Sequence, residues 1–141
     1  MTGSTNNNEV IIENSTVNGN VGGGYNQAGG NLSASDNTVV VKILPTASEE
    51  SFGAGGFIAG GIIGDKQKGA GFTNNNTVNI INFSSENSFE INSYVAGGYN
   101  GGVGEGGASG NTVLIDTPSS PNGSNSLITV GGFVLGGYIG S

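Results

Sequence analysis

A glycine pair followed by a bulky residue occurs four times, as Gly23-Gly24-Tyr25, Gly60-Gly61-Ile62, Gly97-Gly98-Tyr99 and Gly136-Gly137-Tyr138. The bulky residues are 37, 37 and 39 positions apart. Four positions before each stands Val21, Ile58, Val95 or Val134, and four earlier again Val17, Ala54, Ile91 or Val130. A second glycine pair occurs in Gly55-Gly56-Phe57 and Gly131-Gly132-Phe133, and the same slot reads Asn18-Gly19-Asn20 and Asn92-Ser93-Tyr94 in the other copies. The rest of the unit opens with Asn37-Thr38-Val39, Asn76-Thr77-Val78 or Asn111-Thr112-Val113, with a decayed copy at Asn8-Glu9-Val10. Such self-similarity limits the fold to architectures in which one supersecondary unit is stacked on the next.

Each Asn-Thr-Val leads into a β-branched run: Val10-Ile11-Ile12, Val39-Val40-Val41-Lys42-Ile43, Val78-Asn79-Ile80-Ile81 and Val113-Leu114-Ile115. β-branched runs bounded by Asn, Gly and Ser read as strands. Helix is disfavoured because Gly, Asn, Ser, Thr and Val dominate. The distance from each run to the next apolar position varies (7, 15, 13 and 17 residues), and these stretches carry Pro45, Glu49, Glu50, Pro118 and Pro121, as solvent-facing loops tolerate. The 29 glycines suggest low complexity, yet hydrophobic residues make up 34% of the chain and fall in periodic runs, which argues against disorder.

A unit of this size cannot bury its apolar face alone, whereas stacked copies place like residues over one another in ladders of Val/Ile, Asn and Tyr. Asparagine suits such columns because its amide can hydrogen-bond along the stack. The glycine pairs are expected at sharp corners, where positive φ or close backbone approach is needed. The expected fold is all-β, a β-solenoid (parallel β-helix) of four repeats without helices, as a single domain over 1–141 with repeats at roughly 6–36, 37–74, 75–110 and 111–141. A β-prism or sandwich is the alternative.

The linker between the halves also repeats. Tyr25-Asn26, Gly29-Gly30, Ala34-Ser35 and Asn37-Thr38-Val39 correspond to Tyr99-Asn100, Gly106-Gly107, Ala108-Ser109 and Asn111-Thr112-Val113. With its Gly-rich spacer, this pattern resembles the repeats of large autotransporter-type surface adhesins of anaerobic Gram-negative bacteria, best at 23–39 and 97–113 and more loosely at 60–78. The resemblance implies a secreted passenger segment forming a β-helical stalk, at the cell surface or outside the cell. No apolar leader is visible in residues 1–8, and no membrane-barrel segment follows, so an excised segment or a small stand-alone relative is expected.

Composition narrows the chemistry. The chain has no Cys, His, Trp or Arg, and Lys42, Lys66 and Lys68 face ten Asp plus Glu, for a net charge of −7. That balance excludes nucleic acid and anionic membrane surfaces as partners. Thiol nucleophiles and zinc–thiolate sites are excluded by the missing cysteines. The most apolar stretches, 52–64 and 127–140, are too short and glycine-rich to span a bilayer.

Residues 102–107 satisfy G-x-G-x-x-G but lack the strand–helix context of a dinucleotide site. Gly101-Gly102-Val103-Gly104 begins like a calcium-binding nonapeptide, yet Gly106 stands where Asp is needed and no tandem copy follows. The acids Glu9, Glu13, Asp36, Glu49, Glu50, Asp65, Glu86, Glu90, Glu105 and Asp116 do not recur as a pair at one repeat position. A carboxylate-based polysaccharide lyase or hydrolase is therefore a minor reading. No enzyme activity, catalytic residue, cofactor-binding residue, metal ligand or cofactor is expected. Five Asn-x-Ser/Thr sequons, at Asn14, Asn31, Asn75, Asn82 and Asn122, are chance matches in an Asn- and Ser-rich chain.

The expected function is structural, a stalk or passenger segment. Apolar residues run almost to Ser141 and begin within ten residues of Met1, with no evident capping segment. Open strand edges at both ends make a self-assembling filament the alternative, the partner being the chain itself. A carbohydrate- or ice-binding face built on Thr38, Thr77 and Thr112 is a third reading.

Overall fold

The computed structural model describes residues 2–27, 30–45, 51–64, 70–84, 86–102, 104, 106–118 and 127–140. Among them the chain is all-β, with fourteen strands and no helix. A first pass supplies β1 (Thr2–Ser4), β2 (Glu9–Glu13) and β3 (Val21–Asn26). The second supplies β4 (Asn31–Ser33), β5 (Thr38–Ile43), β6 (Ser51–Ala54) and β7 (Ile58–Ile63). The third supplies β8 (Gly71–Phe72), β9 (Thr77–Asn82), β10 (Ser88–Ile91) and β11 (Val95–Asn100). The fourth supplies β12 (Thr112–Asp116), β13 (Leu127–Val130) and β14 (Val134–Ile139).

These strands form four separate sheets, ordered β1-β4-β8, β2-β5-β9-β12, β6-β10-β13 and β3-β7-β11-β14. Every strand pairing described is parallel and joins corresponding strands of successive passes. The third sheet reaches the first pass through a parallel bridge from Val17 to Ala54, and the first sheet reaches the fourth pass through Phe72 and Gly107. Each pass thus visits all four sheets in the same order.

The β-branched runs alternate along the pleat. Val39, Val41 and Ile43 of β5 are buried while Thr38, Val40 and Lys42 are half-buried, and β9 repeats this with Val78, Ile80 and Asn82. Period-two alternation puts one face of each strand into a shared interior. That interior is one cluster drawn from three sheets, in which Val39, Val41, Val78 and Ile80 meet Phe52, Ala54, Phe89 and Ile91 and also Val21, Ile58 and Val95. Leu32, Ala34 and Ile63 form a smaller cluster beside the first sheet.

The glycine pairs that precede the bulky residues are not corners, whereas Gly55-Gly56 and Gly131-Gly132 do lie at bends, between β6 and β7 and between β13 and β14. Gly23-Gly24, Gly60-Gly61, Gly97-Gly98 and Gly136-Gly137 lie inside β3, β7, β11 and β14, and none has positive φ. The reason for glycine there is close approach. A Cβ on Gly60 would sit 2.5 Å from the Gly97 carbonyl oxygen and 2.6 Å from the Asn76 Cβ. One on Gly61 would strike the Ala34 carbonyl and come within 2.6 Å of Asn76 Nδ2. The bends that lead into the asparagine column are made by Asn7, Asp36, Asn75 and Gly110, at φ of 59°, 58°, 55° and 66°, each immediately before a member of the Asn8/Asn37/Asn76/Asn111 column. Asn, Asp and Gly are the residues that tolerate this left-handed conformation best.

Burial sets an expected gradient of sensitivity. Ile80 lies in a middle pass and is 1% exposed, whereas Ile115, the same column in the fourth pass, is only half-buried. Ile80→Ala should lower unfolding free energy by about 2–5 kcal/mol, and Ile115→Ala by clearly less. Urea unfolding followed by circular dichroism checks this, and equal losses would contradict the placement of the core.

Candidate functional site: the asparagine and aromatic ladders

In-register pairing stacks side chains at equal heights, and the most regular column is asparagine. Asn37 Oδ1 accepts from Asn8 N–H at 3.0 Å and from Asn8 Nδ2 at 2.9 Å. Asn76 Oδ1 accepts from Asn37 N–H at 3.0 Å and Nδ2 at 3.1 Å. Asn111 Oδ1 accepts from Asn76 N–H at 2.9 Å and Nδ2 at 3.0 Å. Asn37 and Asn76 are fully buried, so these bonds satisfy groups that water cannot reach. Each rung has a direction, with the earlier pass donating and the later pass accepting. At the fourth pass the series stops, and Asn111 Nδ2 is buried without a hydrogen-bond partner.

A second polar column alternates Asn with Ser. Asn6 Oδ1 accepts from Ser35 N–H at 2.9 Å and Ser33 Oγ at 2.8 Å. Ser35 Oγ accepts from Asn74 N–H at 3.0 Å, and Asn74 Oδ1 accepts from Ser109 N–H at 2.9 Å and Ser109 Oγ at 3.2 Å. Beside it, Asn75 Nδ2 donates to Asp36 Oδ1 at 3.2 Å.

Aromatic rings line the fourth sheet. Phe57, Tyr94 and Phe133 stack at centroid spacings of 4.9 and 4.8 Å with planes 12° and 11° apart. Tyr99 and Tyr138 stack at 4.9 Å and 14°. These spacings match the separation of neighbouring strands, so ring stacking follows from strand pairing. In the first pass Asn20 takes the place of the column's aromatic ring, and its Oδ1 accepts from Phe57 N–H at 3.1 Å. A hollow of about 310 Å³ opens there, lined by Asn20, Gly22, Tyr25, Phe57 and Ile62.

The described acids are spread over the surface. Glu13 and Lys42 form an ion pair at 3.6 Å between β2 and β5, with side chains 48% and 35% exposed. Glu9, Glu86, Glu90 and Asp116 are exposed, and Asp36 occupies a bend. Among the described residues no three His, Cys, Asp or Glu side chains gather where a metal could be held. Glu49, Glu50, Asp65, Glu105, Lys66, Lys68, Pro121 and Asn122 lie outside the described residues.

Of the G-x-G-x-x-G stretch, Val103 and Glu105 also lie outside them. Gly102 is buried, its N–H donating to Asn100 Oδ1 at 3.0 Å, and Gly107 bridges to Phe72. Four sequon asparagines have structural bonds. Asn82 is fully buried and donates to the Asn87 carbonyl at 2.7 Å, while Asn14 Oδ1 accepts from Leu44 N–H and Asn31 Oδ1 from Ala70 N–H. Asn75 is the donor to Asp36 already described. Thr38, Thr77 and Thr112 pair in one row.

Sequence reasoning reached the Asn column, the aromatic slots and the bends at Gly55-Gly56 and Gly131-Gly132 but missed the Asn/Ser column and the bends before each column asparagine. The signal for the latter bends is visible in retrospect, because the residue before each column asparagine is Asn, Asp, Asn or Gly. The observed class is a repeat-built all-β protein of parallel strands. Comparison with protein-family models, curated proteins and solved structures returns no match.

Two substitutions test the ladders. Asn76→Ala leaves Asn37 N–H and Nδ2 without their shared acceptor, at about 1–3 kcal/mol for each orphaned group; denaturant titration should show a loss of that order. Gly60→Ala should destabilise strongly, while Gly19→Ala, where a Cβ meets nothing within 4 Å, should leave the thermal midpoint nearly unchanged. Equal tolerance at the two glycines would contradict the close-approach account.

Proposed function

We propose that this chain is a non-catalytic structural protein, a β-solenoid whose four sheets are the sides of one coil, serving as a stalk or passenger segment at a bacterial cell surface or outside the cell. The observation carrying this reading is that every pass contributes to the same four sheets in the same order, with like residues in register. Winding the chain once around a common interior per pass accounts for that order with short connections. An antiparallel sandwich does not fit, since every described pairing is parallel. The resemblance of the repeat pattern to that of autotransporter-type adhesins supports the surface location, as does an acidic, cysteine-free composition compatible with export.

Catalysis draws no support from a chain lacking His and Cys whose described acids stand apart on the surface. Sugar binding by the aromatic columns is disfavoured by ring geometry. Stacked rings at 4.8–4.9 Å use their faces on one another and leave mainly edges to solvent, whereas a sugar packs on a ring face.

Height matters to the role. Four rungs at about 4.8 Å make a block about 19 Å tall. Such a block becomes a stalk only when further rungs are added above or below.

Excising residues 58–94 tests the architecture. The cut joins Phe57 to Val95 in the register that Tyr94 already has with it and removes one 37-residue pass. A solenoid should refold with unchanged β-type circular dichroism, a lower thermal midpoint and a shorter axis in small-angle scattering; collapse to an unfolded chain would overturn it. Antibody raised against the purified chain should label intact source cells, and labelling only after permeabilisation would overturn the location.

A further inference from the structure

The two ends of the stack are complementary, and we propose that they form a head-to-tail interface in which the fourth pass of one copy receives the first pass of a second copy. The proposal rests on the solenoid reading and names the partner of its open ends as another molecule of the same chain.

Three observations converge on this partner. The first is the asparagine rung. Asn111 Nδ2 is buried and has no acceptor. In each internal rung the missing acceptor is the Oδ1 of the next pass, at 2.9–3.1 Å. Asn8 of a second copy, exposed at the opposite end, carries that oxygen. Continuing the observed register places Asn8 of the second copy against Asn111, Val10 against Val113, Val21 against Val134 and Tyr25 against Tyr138.

The second observation is that two columns buried in the middle passes become exposed in the fourth. Ile58 and Val95 are 0% exposed, whereas Val134 in the same column is 46% exposed. Ile63 and Asn100 are 0% and 1% exposed, whereas Ile139 is 54%. These side chains belong to columns that an added pass covers. The third is the aromatic stack, which ends at Tyr138 with one ring face uncovered by any later pass among the described residues. Tyr25, exposed at the other end, supplies a ring for it.

The same register exposes a built-in opposition. Asp116 of one copy falls beside Glu13 of the next, the Glu13 column being Glu13, Lys42, Ile81 and Asp116. Like charges side by side on paired strands disfavour association. The internal precedent, Glu13 with Lys42 at 3.6 Å, shows the arrangement that would favour it.

Sedimentation velocity from micromolar to millimolar concentration, with negative-stain electron microscopy, tests the interface. The wild-type chain should associate into unbranched rods that lengthen with concentration, at about 19 Å of axis per copy. Asn111→Asp keeps an oxygen for the Asn76 rung but removes the donor to the next copy, and should weaken association about tenfold or more with the circular dichroism unchanged. Asp116→Lys recreates the Lys42–Glu13 pairing across the junction and should strengthen association about two- to fivefold. Glu90→Lys carries the same charge change on an exposed side position of a middle pass and should do neither. A chain that stays monomeric throughout, or association that ignores Asn111→Asp and responds alike to both lysine variants, overturns the interface. A folded excision variant alongside a monomeric wild type would retain the solenoid and reject only this junction.

Discussion

Parallel, in-register pairing between passes is the constraint on which the rest depends. It sets corresponding residues at equal heights about 4.8 Å apart, so every side chain must be compatible with near-copies of itself above and below. Valine and isoleucine meet that condition by packing, and aromatic rings by stacking. A charged residue meets it poorly, which fits a described interior free of Asp, Glu and Lys. Asparagine meets it by being donor and acceptor at once. Its Oδ1 takes two protons from the pass before, and its own N–H and Nδ2 pass two to the next.

The same column explains the glycine pairs. Asn37 and Asn76 point toward β3 and β7, and the space they occupy is the space a Cβ on Gly23, Gly24, Gly60 or Gly61 would need. The buried amide ladder and the side-chain-free strand are therefore two halves of one packing solution. Glycine in a strand interior weakens it intrinsically. Here that loss is offset by a polar column next to the apolar core, hydrogen-bonded from Asn8 to Asn111, which fixes register more strictly than valine alone, because a slip of one residue would break both bonds of every rung.

Much of this was legible in the sequence because stacking makes position equivalent to identity. The 37-residue spacing of the Gly-Gly pairs anticipates the pairing of Val21 with Ile58 and of Ile58 with Val95. The Asn-Thr-Val signature marks both the strand start and the amide column. What was not legible has a physical cause. Glycine serves both positive φ and close approach, and one letter does not separate them, so the sequence points to corners at Gly23-Gly24 and its copies, whereas the chain bends at Asn7, Asp36, Asn75 and Gly110. The second polar column alternates Asn6, Ser35, Asn74 and Ser109, and a search for identical residues passes over it. The burial of Asn82, which shares a column with Ile43, depends on a local loop closed by Ser84 and Asn87, and no spacing rule encodes it.

Directionality separates the ways in which such a stack can continue. An apolar column offers similar contacts to a neighbour in either orientation, so Val, Ile and ring stacking alone permit head-to-head, tail-to-tail and head-to-tail joining. The asparagine rung does not. Two fourth-pass ends brought together bring two Asn111 Nδ2 donors and no asparagine oxygen of the column left to receive them, where Nδ2 is already shielded from water. Two first-pass ends would set acceptor against acceptor. Only the head-to-tail contact completes a rung. It is a heterologous contact whose product presents the same two ends as its components, and repetition of such a contact without closure yields an open filament. In the proposed head-to-tail contact, the amide that fixes register inside the molecule would also fix polarity between molecules, and the opposition of Asp116 and Glu13 would set how readily such growth proceeds.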